Sequence, residues 1–185
     1  MVERANLSSS GGAPRSAASR RSRSDGIADD VVGQGIAQWR AERPDLDSSG
    51  KSVVGRLLHI EGVIIEAVNA ALARHGLKYQ EYAVLATLRV SGAPYRMTPS
   101  TLQRKMLFTS GGLSNLLKRL EASGWVRRGN DPSDGRGVLV SLTPAGKRLA
   151  DTAMPDHAEA ELKLVGMFSA AERASLAQLL ARMMA

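Results

Sequence analysis

Apolar residues recur at helical spacing through most of this chain. Ile27, Val31, Val32, Ile36 and Trp39 predict a first helix over 25–43, which Pro44 stops. After a polar linker over 45–51, Ser52 is placed to cap a longer helix that reaches His75 and stops at Gly76. Residues 63–65 make that helix apolar around much of its circumference, more than a single-sided surface helix needs, so it should pack on both its own core and a partner. A third helix is expected over 79–90, with Tyr82, Ala83, Leu85, Ala86 and Leu88 inward. Two more follow at the far end, over 144–166 and 169–184. Ser169 and Glu172 form a capping-box pair, and Pro155 is expected to kink or break the first of the two.

Between these outer helices the pattern changes. Thr98-Pro99 is a helix start, leading into a short helix over 99–106 with Leu102 and Met106 inward. Three residues later Thr109 can cap a second helix over 110–123, which Gly124 ends. Two short helices joined by so tight a turn are a helix-turn-helix. Strands are expected over 125–128 and 138–142, joined by a turn-rich stretch over 129–137, so a β-hairpin wing follows. The fold class is therefore mainly α with a small β-hairpin wing: a winged helix-turn-helix domain over 77–143, flanked by helices over 25–76 and 144–185. The apolar faces of those flanking helices exceed what the central domain can cover, and a symmetric dimer interface is their natural outlet. Residues 1–24, rich in Ser, Gly, Ala and Arg, read as a flexible basic tail.

Composition narrows the function. The chain of 185 residues carries a net charge of +7, which suits an anionic partner. That excess is concentrated in one region: residues 86–148 hold eleven Lys and Arg against only Glu121, Asp131 and Asp134. No apolar run approaches the ~18–20 residues of a membrane span, and no secretory signal opens the chain, so a cytoplasmic location is expected. There is no cysteine, and His59, His75 and His157 have no ligand spacing, so neither thiol chemistry, a metal nor a cofactor is expected. No nucleophile with a base, phosphate loop or paired carboxylates suggests an enzyme.

On the helix over 110–123, Leu113, Leu116 or Leu117, and Leu120 form the inward stripe. Ser110, Gly111, Gly112, Ser114, Asn115, Lys118 and Arg119 fall elsewhere, small at the start and basic further along. Small residues let a first turn approach base edges in a major groove, and longer donors reach bases and phosphates. These seven, with Thr98 at the start of the preceding helix and Arg136 near the wing tip, are the candidate contacts to double-stranded DNA. An arginine such as Arg136 suits the negative potential of a narrow minor groove. The same basic face would also serve a nucleoid-type binder of low sequence preference.

The run from Met97-Thr98-Pro99 through Thr109-Ser110-Gly111-Gly112-Leu113-Ser114-Asn115, Arg119-Leu120-Glu121, Gly124-Trp125-Val126, Asp131-Pro132, Asp134, Arg136 and Leu142-Thr143 resembles the MarR family of winged-helix regulators. That resemblance implies a homodimer on a pseudo-palindromic operator, usually a repressor, released by a small aromatic or phenolic ligand. The first helix, ending Trp39-Arg40-Ala41-Glu42-Arg43-Pro44, is further similar to the urate-responsive subgroup. In that subgroup a tryptophan, an aspartate and two arginines form the urate site. Trp39 and Arg128 match the tryptophan and the wing arginine as ligand-binding candidates, while Ala83 and Leu116 occupy the other two positions. Without that acid and arginine a purine would lack polar partners, which favours a more apolar effector, an aromatic carboxylate held by Arg128.

Overall fold

The computed structural model describes residues 30–106, 110–131 and 134–184, and the side chains of these except 110, 111, 131 and 134–136. The basic tail over 1–24, Ile27 and the cap at Thr109 lie outside the described residues. The chain forms two compact units, divided between Leu57 and Leu58.

In the first unit, helix α1 spans Val31–Glu42. Asp30 caps it, its carboxylate accepting the Gly33 N–H at 2.7 Å. The same carboxylate receives Arg56 Nε at 2.8 Å from the following helix, α2 (Lys51–Leu72). Together the Gly33 N–H and Arg56 hold the Asp30 pKa below the usual carboxylate range. Ser52 does not cap α2: it is the second helical residue, and its hydroxyl donates to the Ser49 carbonyl at 2.6 Å. The helix begins two residues earlier than a Ser52 cap would place it, and Asp47 accepts the Ser49 N–H at 2.9 Å, closing the linker with its own side chain.

The second unit begins within α2, which tightens into one 3-10 turn, Ala73–His75. Gly76, at φ 68°, then reverses the chain, its left-handed conformation costing no Cβ clash. Helix α3 spans Tyr79–Val90. Strand β1 (Arg96–Met97), helix α4 (Pro99–Lys105), helix α5 (Ser110–Ala122) and strands β2 (Val126–Asp131) and β3 (Asp134–Leu142) follow. Two long-run helices close the unit, α6 (Pro144–Leu164) and α7 (Ala170–Met183). The wing strands are longer than the alternation predicts, because pairing continues through polar Gly129 and Asn130, opposite Leu139 and Val138. The sheet is antiparallel in the order β1-β3-β2, and β1 pairs Met97 with Val140. A two-residue strand has too little alternation to be read from sequence.

One core holds this unit together. Leu72, Leu85, Leu88, Leu102 and Leu120 are fully buried, contributed by four different helices. Each such side chain stabilises the fold by about 1.5–3 kcal/mol relative to exposure. Helix α6 runs unbroken through Pro155. Ties on both sides of the proline hold it: Asp151 to Arg89 and Lys147, and Asp156 to Arg74 and His75. Helix α7, by contrast, buries none of its residues, and Leu176, Leu179 and Met183 stand exposed. Leu58, Ile60, Val63 and Ile64 of α2 are exposed as well.

Candidate nucleic-acid interface

Helices α4 and α5 form the helix-turn-helix, with the intervening turn over 107–109 outside the described residues. Thr98 is the α4 N-cap, its Oγ1 accepting the Thr101 N–H at 3.1 Å. Its hydroxyl also lies 3.0 Å from that of Ser100. Pro99 occupies the first helical position, where its missing N–H costs nothing.

Helix α5 is fixed by its apolar stripe. Leu113, Leu116, Leu117 and Leu120 are all buried, so the choice between Leu116 and Leu117 is resolved in favour of both. The helix ends in a Schellman turn: the Trp125 N–H reaches the Leu120 carbonyl, and the N–H of Gly124, at φ 71°, reaches that of Glu121. With four leucines inward, the opposite face turns to solvent, and Gly112, Ser114, Asn115, Lys118 and Arg119 are exposed. Ser110 and Gly111 are the first two residues of the helix. Among the described residues nothing lies within 4 Å of where a Gly112 Cβ would be. Its helix cost, about 1 kcal/mol against alanine, is therefore unexplained by packing against the described residues.

Charges on this surface are ordered. Arg119 Nε lies 3.8 Å from Glu81 Oε1 on α3 while the arginine remains 60 % exposed. Glu81 itself accepts the Lys78 N–H at 3.0 Å, fixing the start of α3. In the wing, Arg136 lies near the start of β3, its side chain outside the described set. Arg128, at the root of β2, gives its backbone N–H to Glu121 Oε1 and its Nε to Glu121 Oε2, both at 2.8 Å. This arginine holds the Glu121 carboxyl below the ordinary glutamate range, through its side chain first and its backbone N–H second. The sequence names Arg128 as a ligand-binding candidate and does not single out Glu121, its partner in the structure. The available signal was that Glu121 is the one acid on an otherwise basic helix.

The expected effector residues have distinct surroundings. In the first unit Trp39 is 45 % exposed beside a cavity of about 190 Å³, with Lys51 Nζ 4.1 Å from its ring centroid. In the second unit Ala83 lines a cavity of about 380 Å³ between α3 and α6, shared with Tyr79, Tyr82, Lys105 and His157. His157 stacks on Tyr82 at 4.4 Å, and its buried Nε2 has no hydrogen-bond partner among the described residues. Leu116 is 4 % exposed within the core. Among the described residues no group of three His, Asp or Glu is placed to hold a metal, and no helix is long and apolar enough to cross a membrane.

A capped first helix, an exposed polar and basic face on the second and an antiparallel wing are the arrangement of a winged helix-turn-helix transcription regulator. The chain belongs to the MarR family: the family's model matches residues 75–137. It is 36% identical over 147 residues to the HTH-type transcriptional regulator PecS of Dickeya dadantii, covering 80% of this chain and 89% of that protein. Similarity to the multiple antibiotic resistance protein MarR of Salmonella typhimurium is 37% over 71 residues, 38% of this chain and 47% of the relative. The fold is similar to that of a mutant MarR from E. coli complexed with operator DNA, with TM-score 0.66, 27% identity and coverage of 76% of this chain and 100% of that one. A MarR family regulator from Streptomyces coelicolor in complex with DNA gives TM-score 0.67 at 25% identity, covering 75% and 88% of the two chains.

Proposed function

We propose that this protein is a cytoplasmic homodimeric repressor that binds a pseudo-palindromic operator and leaves it when a small aromatic or anionic effector binds. The observation that carries the DNA reading is the division of α5 into four buried leucines and an opposite face of Gly112, Ser114, Asn115, Lys118 and Arg119. Ser110 and Gly111 begin that helix, Thr98 caps the one before it, and Arg136 would reach the neighbouring minor groove. Similarity to solved regulators held on DNA supports the same docking. Dimerisation accounts for the exposed apolar residues of α7 and of α2 beyond Leu57, which a second copy would cover. The helices over 25–76 and 144–185 then serve assembly, and 77–143 serves DNA.

The α3–α6 cavity supports the effector reading. Tyr82 and His157 offer aromatic faces, Lys105 a cation and His157 Nε2 a polar atom without a partner among the described residues, a set suited to an aromatic carboxylate. Lys105 and Met106 close the first helix of the helix-turn-helix, so an occupant would press on the element that precedes the recognition helix. Trp39 and Arg128 remain the candidates taken from the family resemblance.

Selection of bound duplexes from a random-sequence pool by the full-length chain tests the reading. A palindromic consensus whose half-sites lie about 34 Å apart is expected, with affinity that falls steeply with salt. Equal competition by unselected DNA would replace the repressor with a nucleoid-type binder.

A further inference from the structure

We propose that Glu121 is a positioning residue for DNA binding, clamping the wing to the recognition helix so that the two engage one duplex together; this rests on the DNA reading above. Strand β2 lies at the edge of the sheet, so N–H groups on its outer side have no strand partner. The Arg128 N–H donates instead to Glu121 Oε1 at 2.8 Å. The Arg128 guanidinium closes on the second carboxylate oxygen, with Nε at 2.8 Å and a terminal nitrogen at 2.6 Å. One carboxylate from the last turn of α5 thus grips both the backbone and the side chain of the strand that carries the wing. Charge-assisted contacts of this kind are short and directional. Arg128 faces Val140 across the ladder, so the grip on β2 passes to β3 and to Arg136.

The geometry has a functional consequence. A recognition helix in the major groove and a wing arginine in the minor groove are two linked contacts, and their combined affinity depends on how rigidly they are held in register. Glu121 is also an acid on a basic face. By charge alone, neutralising it removes a repulsion toward phosphate and should tighten binding. The clamp predicts the opposite sign.

The test measures affinity of full-length variants for a duplex that the unaltered protein selects from a random pool. Glu121→Gln is expected to bind at least about tenfold more weakly, a change of sign that charge removal cannot produce. Arg136→Ala is expected to weaken the unaltered protein about tenfold but the Glu121→Gln protein only about twofold, since a wing already out of register has less to lose. Should Glu121→Gln fail to fold, Arg128→Lys, which keeps the backbone N–H to Glu121 and the positive charge but not the guanidinium's contacts to Oε2, is expected to fold and to bind about threefold more weakly. Equal or tighter binding by a folded Glu121→Gln protein, the same Arg136→Ala loss in both backgrounds, or binding by Arg128→Lys equal to that of the unaltered protein would each overturn the clamp while leaving the DNA reading intact. Failure of the unaltered protein to bind any duplex would overturn both.

Discussion

Gly146, in the first turn of α6, packs so closely on the backbone of Trp125 that a β-carbon at this position would run into the Trp125 carbonyl oxygen. Thr143 tightens the same junction: its Oγ1 accepts the Gly146 N–H at 3.0 Å and donates to the Gly124 carbonyl at 2.7 Å. The end of α5, the root of the wing and the start of α6 therefore meet at one point. Gly146→Ala should force the backbone apart and destabilise the unit by on the order of 1–3 kcal/mol. Denaturant unfolding measures this; a variant as stable as the parent would show that α6 is free to shift away from Trp125.

Gly112 shows the reverse balance. No neighbour among the described residues requires its missing side chain, so Gly112→Ala should stabilise α5 by up to about 1 kcal/mol. If the bare first turn exists to let the helix approach base edges, the same substitution weakens DNA binding. A higher melting temperature together with lower affinity is the expected pair of results. Unchanged affinity would remove the reason assigned to this glycine.

Burial pushes the Tyr82 phenol up to about 12, with smaller contributions from Glu161 and Tyr79. A folded-state pKa raised above the ordinary value means the contribution of Tyr82 is full below about 10 and is lost as pH rises through 12. Spectroscopic titration should show one phenolate step near 12 that Tyr82→Phe abolishes. Persistence of that step in the variant would assign it elsewhere.

Much of the architecture was legible because each helix carries local signals that agree with its packing. The limits of α3 follow from its apolar spacing, the end of α5 from Gly124, and the start of α7 from Ser169 and Glu172. What was missed depends on side-chain partners that the apolar pattern does not specify. Ser52 looked like a cap, but Asp47 organises the linker before it. Pro155 was expected to kink or break its helix; α6 does not break there, and Arg89 and Arg74 from other elements tie it on either side. In the candidate site, the exposed face of α5 was readable from the leucine stripe. The engagement of Arg128 by Glu121 was not, since seven positions separate them across a reversal of the chain.

Arg119 and Lys118 are adjacent on the exposed face of α5 yet differ in what restrains them. Glu81 lies 3.8 Å from Arg119, so DNA would have to draw this arginine away from an acid anchored at the start of α3. Loss of either cation should weaken binding and lower the salt slope by about one per phosphate contact removed. Glu81→Gln releases Arg119 and should raise affinity, provided that the amide still accepts the Lys78 N–H and preserves α3. The double variant Glu81→Gln with Arg119→Ala should then bind no better than Arg119→Ala alone, because the acid acts through that arginine. Additive effects of the two substitutions would separate Glu81 from Arg119 and leave the acid as a local cap of α3.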